Sequence, residues 1–215
     1  MDHASLIEAV LCNPVNRAIL ERLPALGLKD AWLVAGAVVQ TVWNVRTGRP
    51  SDYGIRDYDI FYFDTDISIA AEDAAIRRVA AAMSDVCDHV EPRNQARVHL
   101  WYPQKFRAPY PPLSRATEGI DRFLARVSQV GVQWTEEGCS VYAPHGLDDI
   151  AMMVVRPNPT ANFCAEIYDA KAAGWKRRWP ELTILPANGI EQPSSVGRMD
   201  HRTAIVADGV ICRVP

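Results

Sequence analysis

The chain has 215 residues, 48% of them apolar and 23% charged, with a formal net charge of −3. These values describe one ordinary globular domain with room for an appendage, and they exclude a charge-driven partner such as a long nucleic acid. No apolar run approaches the length of a membrane span, and Met1-Asp2-His3 opens no basic leader with an apolar core.

The chain in order reads as follows. Ser5 to Leu23 has helical apolar spacing, and Asn13-Pro14 divides it into two short helices because Pro14 disfavours helical geometry at Asn13. Ala31 to Ala35 is a short apolar strand suited to the middle of a covered sheet. Gly36 follows and opens a helix from Val38 to Val45. A glycine there lets the backbone approach a ligand and leaves free N–H groups at the helix start; it also simply lets strand and helix pack closely. Thr47 to Arg56 is a loop with Gly48, Pro50 and Gly54.

Asp57 to Phe63 is the second strand. Residues at i and i+2 of a strand share a face, with Cα atoms roughly 7 Å apart, so Asp57 and Asp59 project together. Two carboxylates so close repel, and a proton or a cation relieves them. A hard divalent ion with oxygen ligands is the natural occupant, Mg²⁺ above all where phosphates complete the shell. The competing reading has both acids solvated at the strand mouth or paired to Arg46, Arg49 or Arg56. Asp64-Thr65-Asp66 repeats the spacing but sits where capping and turn chemistry accounts for it.

Ala70 to Ser84 is an amphipathic helix, and Val86 to Val90 a third strand ending at Glu91. Glu91 is either a third carboxylate facing the Asp pair or an exposed strand-end charge. Arg93 to Tyr102 fits a strand by alternation and a helix by Pro92 at its start, with the helix favoured. Pro103 to Pro112 is a proline- and aromatic-rich loop, either a lid or plain packing. Thr117 to Val127 is helical. Val130 to Trp134 and Cys139 to Tyr142 form a hairpin turning at Glu136-Glu137-Gly138. Asp148 and Asp149 cap a short helix, Thr160 to Trp179 is a helix with a basic end, and Leu182 to Leu185 is a strand.

After Pro186 the texture changes, which predicts a domain over residues 1–186 and an appendage over 187–215. In the appendage Asp208-Gly209 is a hairpin signal between Thr203 and Val214. Such a hairpin pairs with a sheet edge of its own chain or of a second copy, which would make a homodimer. Cys12, Cys87, Cys139, Cys164 and Cys212 form no C-x-x-C pair, as expected of reduced thiols in a cytoplasmic protein.

Five stretches carry a family resemblance: Ala35-Gly36-Ala37 with Trp43-Asn44; Asp57-Tyr58-Asp59-Ile60-Phe61-Tyr62-Phe63-Asp64; Arg93 to Trp101; Ala143 to Asp149; and Val155-Arg156-Pro157-Asn158. Together they resemble the bacterial nucleotidyltransferase family proteins of the DNA polymerase β-like superfamily. The resemblance implies an α/β (α+β) fold with a mixed sheet and flanking helices. It implies Asp57 and Asp59 as carboxylates for Mg²⁺ or Mn²⁺, and a nucleoside triphosphate as donor. Gly36, Ala37, Asn94 and Arg97 fall on the nucleotide side of this reading, and Glu91 is the chosen third carboxylate, helping to deprotonate the acceptor hydroxyl. Ala37 stands where the superfamily usually has a second Gly or a Ser, and the gap from Gly36 to Asp57 is longer than usual.

Three functions remain distinct on these residues. One is transfer of an NMP group to a small-molecule or protein acceptor. The second is nucleotide binding without turnover, favoured by Ala37. The third is a structural or interaction protein in which Asp57 and Asp59 are ordinary charges. No membrane and no long nucleic acid enter any of them.

Overall fold

The computed structural model describes residues 1–188. Its centre is a five-stranded sheet in the order β3-β2-β1-β4-β5. The strands are β1 (Trp32–Val34), β2 (Tyr58–Tyr62), β3 (Val90–Asn94), β4 (Gly131–Thr135) and β5 (Gly138–Tyr142). β2 and β3 run parallel; every other neighbouring pair is antiparallel. The sheet is therefore mixed, and β1 lies at its middle, wholly buried.

Helices α1 (His3–Leu11) and α2 (Pro14–Arg22) meet at Asn13. The Asn13 side chain accepts from the Val15 and Asn16 amides, and Pro14 occupies the first helical position, so cap and proline cooperate at the break. With α3 (Gly36–Arg46) and α4 (Ile69–Met83) they supply the main core. That core rests on Leu33, Tyr58, Ile60, Tyr62 and Val132. Strand alternation sends Trp32, Val34 and Phe61 to the opposite face, where they meet Ala116 and Ile120 of α6 (Ala116–Ile120). Asp57 and Asp59 share the parity of Phe61, so the alternation of β2 decides which side of the sheet carries the carboxylates.

Several boundaries differ from expectation. The third strand begins where it was expected to end: Val90–Asn94 instead of Val86 to Val90. Pro92 is tolerated within it because β3 is an edge strand, where a missing N–H need not cost a ladder bond. Helix follows, as favoured, but through a short 3₁₀ turn into α5 (Val98–Phe106). That helix continues through Pro103 and absorbs the first four residues of the expected loop, with the lost proline donor as one broken rung of its ladder. The expected helix over Thr117 to Val127 reduces to α6 and a 3₁₀ turn at Arg126–Ser128. The β4/β5 hairpin forms as expected, with Thr135 opposite Gly138.

The remaining elements are α7 (Asp148–Ala151), β6 (Val154–Val155), α8 (Ala165–Arg178) and β7 (Thr183–Ile184). β6 and β7 pair in parallel as a separate two-stranded sheet. α8 packs Trp175 edge-on to Trp43 at 5.7 Å, and Trp179, just past its end, does the same at 5.5 Å. Trp179 Nε1 donates to Asn44 Oδ1 at 2.8 Å in the buried core. Asn44 Nδ2 meanwhile donates to the Ser51 and Tyr53 carbonyls, at 3.1 and 2.8 Å. One asparagine thus fixes the 47–56 loop and the end of α8. Gly54 in that loop has φ +72, and a Cβ there would lie 2.9 Å from the Trp179 ring. The expected hairpin at Thr203 to Val214 and most of the 187–215 appendage lie outside the described residues.

Candidate active site

A single cleft gathers the end of β1, the start of α3, the loop before β2, β2 itself, α5, α6 and α8. Asp57 and Asp59 stand on its floor with Phe61 beyond them. Asp57 is half-buried, and Asp59 is 7% exposed. Asp59 Oδ1 is buried without a hydrogen-bond partner. Burial first, and then repulsion from Glu91, drives the Asp59 carboxyl up to about 7; Lys171 pulls the other way, Asp57 adds to the rise and Arg93 opposes it. A divalent cation is one partner that would favour the ionised form of such a carboxyl.

Two carboxylates with substrate phosphates and water form a recognised shell for Mg²⁺, which seldom uses an all-protein cage. No group of three or more His, Cys, Asp or Glu converges as a metal site among the described residues. Asp57 and Asp59 fit the ion as a two-carboxylate platform.

Glu91 is the register partner of Asp59 across β2 and β3. It does not line the cleft, and its Oε2 is held 3.1 Å from the Arg93 guanidinium. Its influence on the site runs through the charge of Asp59.

The nucleotide-side residues divide. Gly36 lines the cleft; Ala37 turns its methyl into the main core and is 1% exposed. The Ala37 carbonyl accepts from Asn16 Nδ2 at 2.9 Å and Thr41 Oγ1 at 2.7 Å, which anchors the first turn of α3. The positive φ at this strand-to-helix turn belongs to Ala35 (φ 50), not to the glycine. Gly36 matters for a different reason: a Cβ there would sit 2.9 Å from Gln40 Nε2. Gln40 also lines the cleft, and its Oε1 is buried without a partner.

Asn94 and Arg97 are placed elsewhere. Asn94 Nδ2 donates to the Asp64 and Asp66 carbonyls at 2.9 and 3.3 Å, and its Oδ1 accepts from the Asp64 and Ala96 amides. Arg97 Nη1 pairs with Glu72 Oε2 at 2.6 Å, both side chains being largely buried. Neither borders the cleft, so the expected contact of Arg97 with phosphate is replaced by a tie between α4 and the turn after β3. His99 stands outside the cleft as well.

Sequence reasoning missed Gln40 and Lys171, and left the aromatic stretch that holds Phe106 and Tyr110 as either a lid or plain packing. Lys171 lies in the middle of α8, far along the chain from the Asp pair, and no local pattern marks it. An aromatic wall is built by Trp101, Tyr102, Phe106 and Tyr110, and their clustering between residues 101 and 110 was the available signal.

The family model for nucleotidyltransferases matches residues 21–184. A solved structure is similar at TM-score 0.69 and 26% identity, covering 86% of this chain and 96% of that chain; it is described as an NMR structure that reveals a CCA-adding enzyme head domain. No curated protein matches the chain. The match runs from the last turn of α2 to β7, and it includes both carboxylates of the cleft and the helix that carries Lys171. The chain belongs to a nucleotidyltransferase family, a family of transferases.

Proposed function

We propose that this protein moves an NMP group from a nucleoside triphosphate to an acceptor hydroxyl, with Mg²⁺ or Mn²⁺ held by Asp57 and Asp59. The observation that carries this reading is Asp59, a buried carboxylate with an unpartnered oxygen beside a second carboxylate on the floor of a cleft. The acceptor oxygen forms a bond to the α-phosphorus, the bond from that phosphorus to the pyrophosphate oxygen breaks, and the hydroxyl proton leaves to solvent or a neighbouring carboxylate. When bound, the metal neutralises phosphate charge and orients the reacting groups. The chain's own residues do the rest. Gly36 keeps the start of α3 open to the triphosphate, and Lys171 brings a positive charge toward the Asp pair. Glu91 raises the proton affinity of Asp59 and so strengthens its demand for a cation.

A second reading of the same cleft is nucleotide binding without turnover; Ala37, whose methyl lies in the core, does not bear on the choice. Pyrophosphate release separates the two. The test is a melting series with each of the four NTPs, with and without Mg²⁺. A ligand at one hundred times its dissociation constant adds roughly 2.7 kcal/mol, which such a series resolves. Stabilisation by NTP only with metal supports the reading; none under any condition overturns it. The four cysteines among the described residues are all free, which supports a reducing, cytoplasmic setting for the activity.

A further inference from the structure

A chain of ring contacts leads away from the carboxylates. Phe61, two residues after Asp59 on the same face, stacks on Phe123 at 5.3 Å and 14°. Beside Phe123, the Arg122 guanidinium lies 6.0 Å from the Tyr110 ring centre. Tyr110 meets Tyr102 at 4.6 Å, and Tyr102 meets Phe106 at 4.6 Å. Trp101 completes the row 6.4 Å from Phe106. All of them border the same cleft as Asp57 and Asp59.

Tyr102 and Asn162, two polar groups of this wall, are spent on the protein. Asn162 Nδ2 donates to Tyr102 Oη at 3.0 Å and to the Arg122 carbonyl at 3.2 Å, while its Oδ1 accepts from Thr160 Oγ1 at 2.5 Å. A nucleobase or a sugar lying on this wall would bury polar edges that Tyr102 and Asn162, already bonded within the protein, leave unanswered. A flat apolar ring has no such edge and gains from the offset and edge-to-face packing that these rings already adopt among themselves. Arg122 differs from its surroundings: it makes no ion pair among the described residues. Its charge over Tyr110 suits an anionic substituent on the ligand's ring.

Resting on the nucleotidyltransferase reading, we propose that the acceptor is a small aromatic alcohol carrying a carboxylate, its ring lying on the Trp101–Tyr102–Phe106–Tyr110 wall and its acid group at Arg122. The hydroxyl then points back along the Phe61 side toward the carboxylates, where the NMP group arrives. An RNA end, the acceptor class suggested by the description of the structurally similar protein, is the alternative that the test must meet.

The experiment uses the full chain with Mg²⁺ and the NTP that stabilises it most. Calorimetric titrations follow 4-(hydroxymethyl)benzoate, benzyl alcohol and a short single-stranded RNA. The expected order of affinity is benzoate derivative, then benzyl alcohol, with no binding of RNA. Trp101 and Phe106 are only half-buried, so Trp101→Leu and Phe106→Leu should fold. Loss of one aromatic pair, about 0.5–1.5 kcal/mol, corresponds to roughly two- to tenfold weaker binding of both aromatic probes. Arg122→Met should weaken the benzoate derivative alone and bring it level with benzyl alcohol. If Mg-NTP stabilises the protein but neither aromatic probe binds, or if the leucine variants bind them as wild type does, the proposal is overturned and the nucleotidyltransferase reading stands. Binding and extension of the RNA likewise overturns it. If no NTP stabilises the protein, the reading itself fails and the acceptor proposal falls with it.

Discussion

Asp59 and Glu91 are register partners on the parallel strands β2 and β3, and Glu91 is the strongest repulsive neighbour of the buried Asp59 carboxyl. The Asp59 carboxyl rises to about 7 in the folded chain from an ordinary value of 3.8. Between those values the folded protein keeps a proton that the unfolded chain has released. The stability contributed by that proton is complete below the unfolded value and is lost as pH rises through the folded one. Metal-free protein should therefore resist urea better at pH 5 than at pH 7.5. Saturating Mg²⁺ should narrow the gap by stabilising the ionised form. Denaturation curves at the two pH values, with and without Mg²⁺, check both statements; a metal-free protein more stable at pH 7.5 would show that Asp59 ionises at its ordinary pH.

Asp59→Asn keeps the shape of the side chain and removes the buried charge. At pH 7.5 without metal the variant should melt no lower than wild type. With Mg²⁺ and NTP the order should reverse, because the variant loses the gain linked to the ligand. Stability exchanged for function in this way is what a working site produces. Melting temperatures of both proteins in the two conditions decide it, and a lower metal-free value for the variant with an unchanged metal response would sink the role given to Asp59.

Gly36→Ala separates folding from function. Alanine is better than glycine in a helix by about 0.8–1 kcal/mol. The added Cβ would press on Gln40 Nε2, the mobile tip of a side chain that can move aside. The two effects should nearly cancel, leaving the variant within about 1 kcal/mol of wild type. Gln40 would be driven from its place in the cleft, and the NTP-dependent shift should shrink severalfold. Unchanged NTP binding would show that neither Gly36 nor Gln40 matters to the ligand.

Arg97→Met tests a placement that differs from the sequence reading. The pair with Glu72 is largely buried, and removing one partner of such a pair strands the other. The variant should lose about 3 kcal/mol of stability, while NTP affinity of the folded fraction stays within twofold. A large loss of affinity at near-normal stability would return Arg97 to the phosphates.

Much of the fold was legible because its signals are local. Asn13-Pro14 marks a helix break whichever tertiary structure follows, and Glu136-Glu137-Gly138 between two alternating runs is a hairpin in most contexts. The third strand was misplaced because Pro92 is a poor strand residue anywhere but an edge, and sheet order is a tertiary property. The site divides along the same line. Asp57 and Asp59 are two residues apart and declare themselves through strand alternation. Lys171 and Phe123 reach the cleft from distant elements, and the Trp43-Asn44 stretch that helps to mark the family turns out to work in the core. Arg97 looked like a phosphate ligand because its nearness in sequence to the acids hid the claim of Glu72.

The bond from Trp179 to Asn44 joins positions 135 residues apart. Asp57 and Asp59 are made early, but the wall that bears Lys171 and Trp175 comes with α8, about a hundred residues later. A nascent chain stalled before α8 therefore carries its two acids facing water, with half of the cleft unwritten. Closure depends on a distant contact, and contacts of that range form slowly. The order of synthesis therefore completes the cleft only once α8 has been made, long after the two acids that it covers.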